Sequence, residues 1–193
     1  MQTVGPIRIG LLSNLTREKG LYLFLDVLRA CIKSGLAVEG RLAGPIDDVN
    51  DLAALRAAQS ELGEALSYLG PQYGEAKSRF LSELDMFLFP TIYRNEAQPN
   101  AVFEAMSAGL AVILFDRGCL DEDVSADCGL VVPPSDDFVS AATAQIASWH
   151  QSRAGLAAAK TAARRRFAAL REAAANDYET LLRTIAGRAT IDH

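Results

Sequence analysis

Two carboxylates and a lysine are the residues in this sequence whose types and spacing point to chemistry. Glu96 and Glu104 stand eight positions apart in the stretch NEAQPNAVFEAMSAG, residues 95–109. Pro99 suits the first position of a helix, because it has no N–H to leave unpaired, and Gly109 suits its stop. The helix start then presents the N–H groups of Asn100, Ala101 and Val102 at the positive end of the helix dipole, a place that can hold phosphate. Glu104 falls among Val102, Phe103, Ala105 and Met106, and reads as a buried ligand-binding carboxylate that accepts hydrogen bonds from a pair of sugar hydroxyls. Glu96, in a polar loop, fits solvent and site equally by residue type alone. Lys19, ahead of Gly20, is by type a solvated lysine at a helix start. The two glutamates are not a glycosidase pair. That chemistry needs carboxyl groups about 5–5.5 Å apart across one bond. Five helical residues carry Glu104 roughly 7–8 Å past Pro99, and Glu96 precedes the helix.

The elements that must position these groups alternate between strand and helix. Residues 7–12 are strand-like. Residues 20–34 form an amphipathic helix with Leu21, Phe24, Leu25, Leu28, Cys31 and Ile32 on one face and Gly35 as its stop. A strand over 38–43 closes at Gly44-Pro45, and a helix over 51–62 has Asn50 as its cap. A strand over 65–69 and a helix over 75–84 follow. The apolar run 85–89 is a strand closed by Pro90, immediately upstream of the acidic loop. Residues 111–115 are apolar without alternation, as in a central parallel strand covered on both faces; 130–132 is one more strand. Beyond Ser135 the chain is helical and alanine-rich, with one helix over 138–150 and one or two more to about Ile185. This rhythm predicts an α/β fold, a Rossmann-like doubly wound parallel sheet with a C-terminal helical extension and ligands at the carboxyl ends of its strands. The last helix carries an apolar stripe, Tyr178, Leu181, Leu182 and Ile185, which must stay wet, fold back, or meet another copy; a homodimer through this helix is the simplest pairing.

Glu96-x7-Glu104 followed by Ala105-Met106-x-x-Gly109 resembles the E-x7-E motif of retaining, GT-B-fold glycosyltransferases of the GT4 group. Further landmarks follow in that family's order. IGLLSNLTREKG, residues 9–20, resembles the first strand and Lys-Gly loop of its nucleotide-sugar domain, and Leu69-Gly70, the run 85–90 and GLVVPP at 129–134 match later ones. The resemblance covers roughly residues 7 to 185. It implies a single donor-binding domain, 1–193, the C-terminal half of an enzyme whose acceptor site lies in an N-terminal domain absent here. It implies that Lys19 approaches the donor diphosphate, that Glu104 holds the ribose hydroxyls and that Glu96 orients the transferred sugar, so that Lys19 and Glu96 are the catalytic residues. Ser13, Asn14, Gln98, Pro99, Asn100, Ala101, Val102 and Glu122 complete the implied nucleotide-sugar contacts. Asn14 departs from the pattern, which has arginine there, and Asp121 replaces a more usual proline before Glu122. The implied donor is a UDP-, GDP- or ADP-linked sugar, with no metal and no other cofactor.

Composition bounds the alternatives. Half of the 193 residues are hydrophobic and 22% are charged, ordinary globular usage for one good-sized domain. A net charge of −5 gives no polyanion-binding character, which excludes nucleic acid as a partner. Cys31, Cys119 and Cys128 are odd in number and lack C-x-x-C spacing, as expected of reduced thiols in the cytoplasm. No run approaches the ~20 apolar residues of a membrane span, and the N-terminus does not read as a signal peptide. Arg164-Arg165-Arg166, with Arg153, Lys160 and Arg171, reads as a solvated helix face; the alternative is contact with an acidic acceptor or with anionic lipid at the inner face of a membrane. His150 and His193 sit at a helix end and the chain terminus, leaving hydrolytic triads without an anchor. No Walker-A or G-x-G-x-x-G run is present. Asp121-x-Asp123 offers two carboxylates, a thin metal site, at a helix start where acidic residues are favourable without metal. The rival reading is a non-catalytic nucleotide-sugar-binding module or a subunit that works only with a partner.

Overall fold

The computed structural model describes residues 5–189. Six parallel strands, β1 Ile7–Leu12, β2 Val38–Ala43, β3 Leu66–Tyr68, β4 Met86–Phe89, β5 Ala111–Phe115 and β6 Gly129–Val132, lie in the order β3-β2-β1-β4-β5-β6. β4 and β5 are buried along their whole length, which is why they read as unbroken apolar runs, whereas the edge strands β3 and β6 are only partly covered. The Rossmann-like α/β fold expected from the sequence is therefore observed.

Helices α1 Leu21–Lys33, α2 Val49–Leu62, α3 Gly74–Ser82, α4 Asn100–Ser107, α5 Leu120–Asp123 and α6 Phe138–Gln151 connect or flank these strands. Because parallel crossovers are right-handed, reversing the winding direction after β3 puts α1 and α2 on one face and α3 and α4 on the other. α1 buries Leu21, Phe24, Leu25, Val27, Leu28 and Cys31, nearly the predicted face. Burial pushes the Cys31 thiol up to about 11. Cys31, Cys119 and Cys128 are all unpaired.

One expectation shifts and one open alternative closes. α2 begins two residues before the predicted start, because Asp48 rather than Asn50 is its cap: the Asp48 carboxylate accepts the amides of Asn50 and Asp51 at 2.7 and 3.1 Å. The C-terminal extension after α6 is one helix, α7 Arg153–Ala189, of 37 residues. Its first half is packed, with Leu156, Ala159, Ala162 and Ala163 buried against α4, α6 and β5. From Arg171 to Ile185 every side chain is exposed.

The basic stretch on α7 is exposed at Arg164, Arg165 and Arg171, as expected of a solvated face, but several of its cations also hold the rest of the domain. Arg164 donates to the carbonyl of Ala108 at the end of α4 (3.0 Å), and Arg166 donates to the carbonyls of Asp123 and Glu122 at the end of α5 (3.0 and 2.6 Å). Arg165 pairs with Asp127 at 2.9 Å, Lys160 with Asp85 at 3.6 Å, and Arg153 donates to the carbonyl of Gly5 at 2.7 Å. Cations placed on orphan carbonyls at helix C-termini satisfy those carbonyls and complement the dipole. These groups fasten α7 to the domain, while Arg164, Arg165 and Arg171 stay exposed to solvent. The stripe Tyr178, Leu181, Leu182 and Ile185 is 48–62% exposed, so it does not fold back. His150 sits at the end of α6, where Nε2 accepts the Ala37 amide at 3.4 Å; His193 lies outside the described residues.

Candidate functional site

In this strand order, β1 and β4 are neighbours whose connections leave in opposite directions, so a crevice opens beyond their carboxyl ends. The loop after β1 carries Ser13, Asn14 and Lys19, and the loop after β4 carries Glu96, Gln98 and Pro99. The topology thus brings the predicted residues of both loops to one place. Backbone bonds join the loops: the Ile92 amide donates to the Glu18 carbonyl at 2.8 Å. Gly20, at φ 92°, permits this approach, since a Cβ there would lie 2.4 Å from the Pro90 carbonyl oxygen.

Lys19 and Glu96 meet in this crevice. Lys19 Nζ donates to Glu96 Oε2 at 2.7 Å, with the side chains only 25% and 11% exposed. The same carboxylate oxygen accepts the hydroxyl of buried Thr91 at 3.2 Å, and the ammonium lies 4.2 Å from the centre of the Tyr93 ring. Glu96 therefore lies in the crevice rather than in solvent, and the lysine that looked solvated is its counter-ion. Thr91 and Tyr93 were not legible as site residues; Thr91 follows the Pro90 break, and that position is the only signal.

A second lysine–glutamate pair stands beside the first. Lys77 Nζ of α3 donates to Glu104 Oε1 of α4 at 2.5 Å, with side chains 32% and 37% exposed. The expectation of a buried Glu104 is thereby corrected: Val102, Ala105 and Met106 take the buried face of α4, and the carboxylate points to the half-open side.

The start of α4 also differs in detail. Pro99 is its cap residue and offers no side-chain cap. The Val102 amide is taken by the Pro99 carbonyl at 3.0 Å, a tight first turn, so the free amides are those of Asn100 and Ala101 rather than all three. The three helix starts nearest the crevice, at Gly20, Tyr73 and Pro99, all lack a side-chain cap, whereas α2 and α6 are capped by Asp48 and Asp137. An acidic cap at any of the three would set a negative charge where an anion could bind.

A cavity of ≈ 200 Å³ adjoins the crevice, lined by Ser13, Asn14, Gly44, Gln72, Tyr73 and Lys77 among others. Gly44 is part of its lining, and a Cβ there would meet the Ser13 carbonyl oxygen at 1.7 Å; the Gly44 carbonyl accepts the Tyr68 hydroxyl at 2.8 Å, and burial raises the pKa of that phenol. Tyr73, 74% exposed, is an aromatic wall that sequence reasoning missed.

Asp121 and Glu122 are exposed on α5. Asp123 is nearly buried and accepts the Gln98 side-chain amide at 3.1 Å, and the Cys119 amide donates to the Ala97 carbonyl at 3.3 Å. This segment therefore holds the loop of Glu96 from behind. Among the described residues no three His, Cys, Asp or Glu side chains cluster as a metal site, and no helix is long and apolar enough to cross a membrane.

The sequence matches the profile of the family described as Glycosyl transferases group 1 over residues 6–151. It is 26% identical over 136 residues to the amylovoran biosynthesis glycosyltransferase AmsK of Erwinia amylovora, covering 68% of this chain and 33% of that protein. The chain thus spans about a third of the length of this curated relative. Among solved structures, the fold superposes on sucrose-phosphate synthase of Thermosynechococcus elongatus with a TM-score of 0.77 (23% identity, 94% of this chain, 46% of that one). The pneumococcal O-GlcNAc transferase GtfA, solved with UDP and GlcNAc, gives 0.72 (19% identity, 93% and 36%). The C-terminal domain of the group 1 glycosyl transferase LpcC from Francisella tularensis gives 0.71, with 16% identity and 86% of both chains covered.

Proposed function

The chain belongs to the Glycosyl transferases group 1 family, and from that premise we propose that it is the donor-binding domain of a GT4-type, retaining, metal-independent glycosyltransferase. The observation that carries the reading is the crevice between β1 and β4. It holds the Lys19–Glu96 pair and, at the end of the loop that carries Glu96, the free amides of Asn100 and Ala101, with a cavity of ≈ 200 Å³ alongside. The binding of UDP by the structural neighbour GtfA supports a nucleotide-sugar donor here.

In this reading the nucleoside fills the cavity walled by Tyr73, and its ribose hydroxyls donate to Glu104. The diphosphate lies between Lys19 and the start of α4, flanked by Ser13, Asn14, Gln98 and Pro99, with the Val102 side chain packing the helix beneath. The sugar extends toward Glu96 and Glu122. Transfer breaks the bond between the anomeric carbon and the diphosphate, so negative charge grows on the departing oxygen. An ammonium has three N–H donors, and Lys19 uses one on Glu96. The others, with the helix-start amides, stabilise that charge without a metal. Glu96, held by Lys19 and Thr91, is placed to orient the sugar. The engagement of Asp123 by Gln98 supports this over a metal held by Asp121 and Asp123.

The acceptor wall of the cleft comes from a second domain, in the same or another polypeptide, and the exposed stripe on α7 is covered by that domain or by a second copy of the chain. A cytoplasmic setting completes the reading. Titration calorimetry against UDP-, GDP- and ADP-sugars tests it. One donor class should bind, EDTA should leave binding unchanged, and Glu104→Ala should cost about 1–3 kcal/mol for a lost charge-assisted bond. Binding that EDTA abolishes and Glu104→Ala does not touch would favour the Asp121/Asp123 metal reading instead.

A further inference from the structure

Lys77 faces both parts of the crevice. It lines the cavity of Ser13, Gly44 and Tyr73, and it also lines the groove between α3 and α4 that contains Glu104 and Ser107. It sits 27 positions before Glu104, on a different helix, and the two are joined by a single bond to Oε1. Among the described residues the other oxygen of Glu104 has no hydrogen-bond partner.

We infer that Lys77 is a positioning residue that sets the specificity of the site for ribonucleotides, by fixing Glu104 so that its open oxygen faces the ribose. The inference rests on the donor-binding reading above. The physical reason is the freedom of a glutamate. On an exposed helix face its side chain samples several rotamers about three torsions, and few of them aim a carboxylate oxygen at one hydroxyl. An ammonium bound to one oxygen removes most of that freedom before the ligand arrives, which is preorganisation. Anchoring Oε1 also fixes the plane of the carboxylate, so Oε2 is the acceptor left for a sugar hydroxyl. The ammonium, which uses one of its three donors on Glu104, remains at the cavity wall. A helix glutamate without such a partner would still attract or repel charge, but it would discriminate poorly between a ribose and a ribose lacking a hydroxyl.

Discrimination is the quantity to measure, because a merely structural lysine would not move it. Calorimetry of the full chain with UDP and its 2′-deoxy and 3′-deoxy forms, and with the GDP and ADP sets, gives for whichever base binds a ratio of dissociation constants, taken for the hydroxyl whose loss weakens binding more. Loss of one charge-assisted bond corresponds to a ratio of about ten or more in the parent. Lys77→Met should bring the ratio below about three, Lys77→Arg should restore most of it, and in the Glu104→Gln background Lys77→Met should change the ratio no further. Melting curves of each variant confirm that the domain is folded. A Lys77→Met variant that binds both nucleotides more weakly with the ratio intact overturns the inference and leaves the donor-binding reading standing. A parent that binds nucleoside diphosphates with a ratio near one removes the ribose role of Glu104 and this inference together. A parent that binds none of them overturns the donor-binding reading itself, and the inference with it.

Discussion

Lys19→Met should destabilise the domain more than Glu96→Gln, even though both break the same ion pair. The asymmetry follows from burial: the Glu96 side chain is 11% exposed and that of Lys19 is 25% exposed, with a long stem that can carry the ammonium to water. Removing the lysine strands a charged carboxylate with only the Thr91 hydroxyl for company. Stranding a fully buried charge costs about 3–5 kcal/mol. Partial exposure and access to water reduce this to about 1–2 kcal/mol, including the lost contact with the Tyr93 ring. For a domain of this size that is a fall of roughly 2–8 °C in Tm. Glu96→Gln keeps the shape and the Thr91 bond and should cost less than about 1 kcal/mol. The double variant carries no stranded charge, so it should melt above Lys19→Met alone, with a coupling of about 1 kcal/mol in the double-mutant cycle. Thermal unfolding followed by circular dichroism of the four proteins measures all of this without any ligand. Equal melting of Lys19→Met and the parent, or simple additivity of the two losses, would refute the reasoning and reduce the pair to an exposed contact.

Arg166→Ala should cost about 1–3 kcal/mol in urea unfolding, because two carbonyls at the end of α5 lose a charged donor, and no gain or loss of binding to anionic vesicles should accompany it. Leu181→Glu with Leu182→Glu should leave the domain's Tm unchanged, since both side chains are exposed, and should lower the mass seen by light scattering where copies pair through α7; an unchanged mass sinks the pairing. Acid should destabilise the fold through its helix caps. The Asp48 carboxylate is held below its usual range chiefly by the Asp51 amide, and the Asp137 carboxylate chiefly by the Ser140 hydroxyl. A depressed folded-state pKa contributes stability that is present above the unfolded value, about 3.9, and is lost as pH falls through the folded value. Asp48→Asn with Asp137→Asn keeps the caps without the titration, so its Tm should fall less steeply below about pH 4 than that of the parent.

The sheet was legible because burial on both faces leaves a simple trace: 86–89 and 111–115 are apolar without interruption. The α2 cap was misplaced because Asp48 and Asn50 are both good caps, and only the backbone decides which one reaches the amides. Glu96 and Glu104 could be found from spacing, but not their partners. Lys19 is 77 positions from Glu96 and Lys77 is 27 from Glu104, separations that only the folded sheet closes. The anchoring role of Arg164 and Arg166 was hidden for the same reason: the carbonyls they hold belong to the ends of α4 and α5, and nothing local marks them. Tyr73 and Gly44 became part of a cavity only when the ends of β1, β2 and β3 were brought side by side.

α7 also has a mechanical meaning. Its near half is bolted to the domain by arginines on carbonyls, while residues 171–189 extend it by roughly 28 Å at 1.5 Å per residue. Such a strut works as a lever. A tilt of about five degrees at the bolts moves the far end by roughly 2.5 Å over that length, about the reach of one hydrogen bond. Whatever grips the tip is therefore sensitive to small rearrangements at the ends of α4 and α5, where Arg164 and Arg166 are anchored. Asp123, whose carbonyl accepts Arg166, also receives Gln98 from the loop of Glu96. The loop of Glu96 and the base of the strut therefore meet at one residue.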